Sequence, residues 1–263
     1  MIIILIVILT PFLYCLTTLI FCSTFDFFYG KQKFKFPIKS LFYESIIQYF
    51  VFIFLPIDLF RKWEIFETKN NKMVVLLPGY TETQFIFRNL RKELRKNEIG
   101  YKVIRYKPFF GDLKKLTNDL KLEIDLLLER NRKYEIYIIG HSMGGLIGRY
   151  LLENNSYSNV CSLIMIATPH KGTIFGRFGI GKCAKQLIPN SRFLNGLSKS
   201  SISNTMNLYS QMDSLIYPRN SAIYFENNIA LKDKTLHNST VFNSETTKLI
   251  IEEIKYGKCN TTN

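Results

Sequence analysis

The most chemically pointed feature of the sequence is a serine with glycines two residues away on each side, Gly140-His141-Ser142-Met143-Gly144, followed by Gly145. A nucleophilic serine of this kind sits on a strained strand-to-helix turn, where only small residues fit beside the neighbouring strand and helix. The hydroxyl is a poor nucleophile alone: it needs a base to take its proton and a carboxylate to fix that base and stabilise its charged form. The chain holds three histidines, His141, His170 and His237. Carboxylates are scarce after the serine, with none between Glu153 and Asp213, and only Glu226 and Asp233 between Asp213 and His237.

A serine elbow needs a buried strand before it and a helix after it, and the pattern from Lys72 onward supplies such elements in alternation. Met73 to Leu77 is a continuous apolar run closed by Pro78-Gly79, as expected of a strand covered on both faces. The sequence predicts a helix over 83–97, a strand over 101–106, and a helix over 112–130, where Leu113, Leu116, Leu120, Ile124, Leu127 and Leu128 form one stripe. A strand over 134–139 leads into the elbow, a helix over 143–153 leaves it, and a strand over 160–167 follows. Strand-like segments at 206–212 and 221–225 and a final helix near 245–256 complete the alternation, which implies a mostly parallel sheet with helices on both faces.

In this setting the chain resembles the α/β-hydrolase superfamily, and within it the lipase and esterase branch. The resemblance covers about residues 72–256 and rests on four motifs: the elbow, Leu77-Pro78-Gly79-Tyr80, Ala167-Thr168-Pro169-His170-Lys171-Gly172-Thr173, and Ser210-Gln211-Met212-Asp213. Pro78 stands where many members carry His before the glycine. The family order of Ser, acid, His implies Ser142 as nucleophile and His237, on a late loop, as base. Asp213, followed by aliphatics and Pro218, is similar to the family's acid loop, with Asp233 as its rival. The resemblance further implies backbone N–H donors from Tyr80 and Met143 as the oxyanion hole, and chemistry without metal or organic cofactor.

The chain of 263 residues carries a net charge of +14, yet residues 1–60 hold only seven charged groups, Asp26, Lys31, Lys33, Lys35, Lys39, Glu44 and Asp58. A mean hydropathy near zero therefore averages two unlike regions. Met1 to Cys22 is uncharged and long enough as a helix to match a hydrocarbon core of about 30 Å. It lacks the basic start and small cleavage-site residues of a signal peptide. Residues 1–22 are thus expected to be a transmembrane anchor, 23–60 a basic linker with an interfacial or re-entrant apolar segment, and 61–263 the catalytic domain. Basic flanks on both sides of the 45–60 segment place it, and the domain, on a cytoplasmic face.

The apolar content excludes global disorder, and no nucleic-acid fold signature accompanies the basic charge, so anionic lipid is the expected partner. Five cysteines, an odd number without a Cys-x-x-Cys pair, point away from zinc and from a disulfide framework, toward a reducing compartment. Residues 171–205, where such folds place a lid, mix Lys171, Arg177, Lys182, Lys185, Arg192 and Lys199 with Phe175, Phe178, Ile180 and Leu187 and contain no acid. Four glycines in 172–181 argue against a long helix there and suggest mobility. The expectation is a membrane-anchored hydrolase of lipid or long-chain acyl esters. Its alternatives are an acyltransferase using the same residues and a non-catalytic binding module.

Overall fold

The computed structural model describes residues 2–29, 37–108, 110–198, 202, 204–224, 226–232, 234–257 and 259. Lys31, Lys33, Lys35, Lys199 and Asp233 lie outside the described residues, as does Asn260, which begins an Asn-x-Thr glycosylation sequence. Seven strands form one sheet in the order β1-β3-β2-β4-β5-β6-β7. They are β1 (Ile65–Phe66), β2 (Lys72–Leu77), β3 (Gly100–Val103), β4 (Glu135–His141), β5 (Val160–Ile166), β6 (Thr205–Tyr209) and β7 (Asn228–Ala230). Every pairing is parallel except that of β1 with β3.

The central strands are apolar throughout because both faces are covered. On one side α4 (Leu113–Arg130) and α5 (Met143–Asn154) bury the Leu113, Leu116, Leu120, Ile124 and Leu127 stripe against Val75, Ile138 and Leu163. On the other side α3 (Arg88–Lys96) and α9 (Ser244–Tyr256) pack on Val74, Tyr137 and Ile164. Burying a Leu or Ile stabilises by about 1.5–3 kcal/mol, so these two layers hold the sheet rigid under whatever stands at its C-terminal edge.

Two elements differ from expectation. The segment 221–225 is no strand: Arg219–Ala222 is a 3-10 turn, and the edge strand is instead the short β7. Ser221, Ala222 and Tyr224 are buried from a loop rather than from a strand. The helix predicted over 83–97 begins as a 3-10 turn, Gln84–Phe87, capped by Thr83.

Cys161 and Cys259 are joined by a disulfide, with Cα atoms 4.5 Å apart and a sequence separation of 98. This corrects the reading of the cysteines as unpaired. Spacing carried no hint of it, because only the packing of the chain after α9 beside the start of β5 brings the two together. Cys15, Cys22 and Cys183 are free and buried.

The N-terminal region is two helices, α1 (Ile2–Tyr29) and α2 (Ile38–Phe60), packed on each other and on the domain. In α1, Cys15 and Leu19 bury against Leu41 and Leu236, and Cys22, one turn on, donates from Sγ to Ser214 O at 3.6 Å. Beyond them, Asp26 bridges Arg219 at 2.6 Å. In α2, Ile47 and Val51 join the core beneath Phe85, and the polar Glu44, Gln48 and Asp58 are also buried. Among the described residues the helix long and apolar enough to cross a membrane is Ile38–Asp58, whereas the described apolar part of α1, Leu9–Thr24, is shorter. The outer face of the pair is apolar as well, with Leu13, Phe42, Ile46, Ile57 and Phe60 exposed.

Candidate active site

The elbow stands at the C-terminal end of β4, the middle strand of the sheet, where α5 begins. Ser142 has φ 52° and ψ −119°, a left-handed conformation that a non-glycine residue holds only when its surroundings enforce it. Its N–H donates to Ile166 O at 2.8 Å. The two flanking glycines have separate steric reasons. A Cβ on Gly140 would lie 2.4 Å from Gly145 N, inside the following helix. A Cβ on Gly144 would lie 2.1 Å from Leu77 O, on the neighbouring strand β2. Side chains at either position would push the turn apart.

The three histidines occupy different environments. His170 is fully enclosed, its Nε2 3.1 Å from Asn207 Oδ1, and burial holds its pKa down to about 3, so it is neutral at any physiological pH. His141 faces Glu82, with Nδ1 2.7 Å from Oε1. His237, on the loop before α8 (Ser239–Phe242), places Nδ1 2.8 Å from Asp213 Oδ2 and 3.0 Å from Oδ1. Its other nitrogen is thereby left toward the cavity that His237 and Ser142 both line.

Asp213 follows β6 and is 2% exposed. Its Oδ1 also accepts from the N–H groups of Leu215 and Ile216 at 2.8 and 2.9 Å, which aim the carboxylate. Burial alone would raise its pKa; the His237 charge, their hydrogen bond and the two backbone donors outweigh it and hold the group below the usual carboxylate value. For His237 burial works downward, but the Asp213 charge and hydrogen bond, then the Glu82 and Glu44 carboxylates, outweigh it and raise the imidazole above its ordinary value.

The loop after β2 lies against the nucleophile. A Cβ on Gly79 would come within 2.9 Å of Ser142 Cβ, so only glycine allows this approach. Gly79 N–H donates to Glu82 Oε2 at 2.6 Å, folding the loop back so that Tyr80 follows it at the cavity wall. Met143 N–H is in the first turn of α5, where no intrahelical acceptor exists. The Tyr80 hydroxyl accepts from Ile180 N–H at 2.6 Å and donates to Ile180 O at 3.1 Å, tying this loop to the lid.

A cavity of about 550 Å³ opens from Ser142 and His237. Beside the loops after β2 and β6, its walls include Tyr14, Thr17, Thr18 and Phe21 of α1, Gln48, Val51 and Phe52 of α2, and Phe175, Phe178, Ile180 and Leu187 of the lid. The lining is mostly apolar. The lid is a 3-10 turn, Ile174–Phe178, with α6 (Gly181–Gln186) and α7 (Arg192–Asn195). Its glycines are sites of close packing, since a Cβ on Gly172, Gly176, Gly179 or Gly181 would fall within 2.7 Å of another atom. Phe178 and Ile180 are 79% and 72% exposed beside the exposed Arg177, Lys182 and Lys185.

The structure thus gathers Ser142, His237, Asp213, Tyr80 and Met143 at one edge of the sheet. Sequence reasoning missed Glu82, Glu44 and the part of α1 and α2 in the cavity wall. An acid three residues after Pro78-Gly79 was the available signal for Glu82. Glu82, His141 and His237 offer donor atoms within 4.8 Å of one another, a spacing a metal ion could use. Each is already engaged, Glu82 by Gly79 and His141, and His237 by Asp213, so hydrogen bonding accounts for the cluster.

A family model described as serine aminopeptidase, S33, matches residues 68–222, more than half of the chain. Triacylglycerol lipase 2 of Saccharomyces cerevisiae is 36% identical over 72 residues, which are 25% of this chain and 22% of that lipase. Lipase B of Aspergillus fumigatus superposes with a TM-score of 0.61 at 16% identity, over 74% of this chain and 57% of that one. The mature lipase BlEst2 of Bacillus licheniformis gives 0.59 at 13% identity, over 73% and 98%. The chain spans under a quarter of the yeast lipase and 57% of the fungal one. At such identities the superpositions show the fold, and the family match carries the assignment: the chain belongs to the serine aminopeptidase, S33, family and is a lipase/esterase-like α/β hydrolase.

Proposed function

We propose that the protein is a membrane-associated serine hydrolase that cleaves esters of long-chain acyl groups, with Ser142 as nucleophile, His237 as base and Asp213 as its orienting acid. The observation that carries this reading is the apolar cavity of about 550 Å³ ending on Ser142 and His237. It is sized for a chain of methylenes, each contributing about 0.8 kcal/mol on burial. Ser142 Oγ attacks the ester carbonyl carbon while its proton passes to His237 Nε2. The oxyanion takes the N–H groups of Met143 and Tyr80, each worth about 2.7–4 kcal/mol. Collapse breaks the bond to the alkoxy oxygen, which leaves as alcohol with the His237 proton. Water, deprotonated by His237, then attacks the acyl-enzyme and releases the acid with Ser142 restored.

Membrane association is supported by the exposed apolar outer face of α1 and α2, Phe60 being 92% exposed, and by the basic lid beside it. Because the polar side of α2 is buried on the domain, the helix pair suits insertion into one leaflet alongside the cavity mouth. The Cys161–Cys259 bond favours a domain facing an oxidising compartment, which revises the expected cytoplasmic orientation. A fluorophosphonate probe tests the reading: labelling of the full chain is expected, and it is lost in Ser142→Ala and strongly reduced in His237→Ala. A folded wild-type protein that takes no label would overturn it. Hydrolysis rising with acyl length, and rising further on vesicles, is the expected substrate profile.

A further inference from the structure

The N-terminal helices do more than flank the domain. Glu44 of α2 is 2% exposed, and its two carboxylate oxygens accept from two successive backbone N–H groups, Asn238 at 2.6 Å and Ser239 at 2.7 Å. These are the two residues directly after His237. Four residues along α2, Gln48 Oε1 accepts from Asn238 Nδ2 at 2.7 Å. Three hydrogen bonds thus fasten the His237 loop to a helix 190 or more residues away in sequence. Leu236, on the other side of His237, buries against Cys15, Leu19 and Leu41 of the same helix pair.

A buried carboxylate is retained only where its hydrogen bonds and nearby charge compensate its lost hydration. Among the described residues, the hydrogen bonds that hold Glu44 to the domain come from the histidine loop; burial raises its pKa, and the Ser239 and Asn238 donors and the His237 charge work against that rise. We infer that Glu44 is a positioning residue for His237, acting through the backbone of Asn238 and Ser239, and that α2 is a structural part of the active site. This rests on the reading of Ser142 and His237 as a hydrolytic pair.

The charge has a second consequence. The groups facing His237 are Asp213 from the loop after β6, Glu82 from the loop after β2, His141 from the end of β4, and Glu44 from α2. Three carboxylates around one imidazole favour its protonated form. Neutralising Glu44 lowers the His237 pKa, so the acid limb of kcat/KM moves to lower pH. A residue that only held the helix in place would leave that limb unmoved.

The test uses the full chain and a short-chain soluble ester, so that membrane binding does not enter. Glu44→Gln keeps one acceptor and places an N–H against the other donor. It is expected to lower kcat about tenfold, with KM changed less than threefold and the acid limb displaced to lower pH. Glu44→Asp restores the charge and is expected to return the limb to its wild-type position while kcat stays below wild type. Should Glu44→Gln lose its cooperative melt, Gln48→Leu breaks the neighbouring tie without changing charge, with an expected threefold or greater fall in kcat and an unmoved limb. Tyr43→Ser, exposed on the same helix, serves as the unaffected control. Folded Glu44→Gln with wild-type kcat and acid limb, or Gln48→Leu with wild-type kcat where Glu44→Gln does not fold, would overturn the inference. A wild-type protein inert to fluorophosphonate would instead overturn the hydrolase reading on which it rests.

Discussion

Replacing Asp213 by Asn isolates what the buried carboxylate does for His237. The substitution is isosteric, and the Leu215 and Ile216 N–H groups can keep Oδ1 as their acceptor. The other atom, 2.8 Å from His237 Nδ1, becomes a donor. His237 must then accept at Nδ1, which puts its proton on Nε2, the nitrogen that has to receive the serine proton. The base is present but in the wrong tautomer, and the expected loss is about 10⁴-fold in kcat, roughly 5.5 kcal/mol, with little change in KM. Stability should change in a pH-dependent way. The raised His237 pKa contributes stability that is complete below its ordinary value of 6.5 and lost as pH rises through the folded value. The depressed Asp213 pKa contributes above its ordinary 3.8 and is lost as pH falls through the folded value. Both contributions are therefore full between about pH 4 and 6.5, and the wild-type excess in melting temperature over Asp213→Asn should peak there. Steady-state hydrolysis of a soluble ester, with melting curves across pH, measures both effects. Activity within tenfold of wild type, or a 10⁴-fold loss appearing in Asp233→Asn instead, would refute the assignment of Asp213.

Further outcomes follow from the same geometry. Gly144→Ala, whose Cβ would lie 2.1 Å from a backbone oxygen of β2, should destabilise by at least about 3 kcal/mol and abolish labelling of Ser142, as melting and probe labelling would show. Removing the Cys161–Cys259 bond frees a 98-residue loop and should cost about 2–4 kcal/mol, read as a melting temperature lowered by reductant or by Cys161→Ala. If the domain faces an oxidising lumen, exposed Asn154 of the Asn154-Asn155-Ser156 sequon carries a glycan and buried Asn238 carries none, visible as an endoglycosidase shift that becomes smaller in Asn154→Gln and is unchanged in Asn238→Gln. Phe178→Asp together with Ile180→Asp should lower hydrolysis of vesicle-borne esters at least tenfold, a larger fall than for a short soluble ester, because both side chains line the cavity and are also exposed at the lid surface. The acid limb of wild-type kcat/KM should lie above 6.5, since His237 is raised from that value.

What could be read from the sequence divides along a physical line. The strands β2, β4 and β5 and the helices α4 and α5 were legible because a sheet covered on both faces writes itself as apolar runs and stripes. Ser142 was legible because its strained turn forbids side chains at Gly140 and Gly144, and each restriction is a residue type. Asp213 and His237 could be named from chain order and scarcity, though their 2.8 Å contact depends on loops after β6 and before α8 that no local pattern specifies. Glu82 escaped notice because its work is to bond the Gly79 backbone, and backbone partners leave no mark in composition. The disulfide escaped for a similar reason, its two cysteines being brought together by packing across the whole domain.

The N-terminal helices carry a second role that hydropathy does not report. Apolar residues at 1–60 were read as lipid-facing because hydrophobicity reports that a side chain avoids water without reporting what replaces it. In α2 the inward face carries the buried Glu44, Gln48 and Asp58, charged and polar residues that interrupt an otherwise apolar helix. Two of those groups hold the residue after His237, and the third accepts from Gln84 Nε2 at 3.1 Å beneath the sheet edge. The interruptions are therefore the specific contacts, and the apolar residues between them serve two surfaces, the cavity through Val51 and Phe52 and the exterior through Phe42, Ile46 and Ile57. A helix pair that is at once cavity wall, loop clamp and apolar exterior couples its exposed face to the histidine loop by direct contact. On the function proposed above, the route for an acyl chain to Ser142 runs between α1 and the lid, where Phe21 meets Phe175 at 5.4 Å and the cavity wall is apolar.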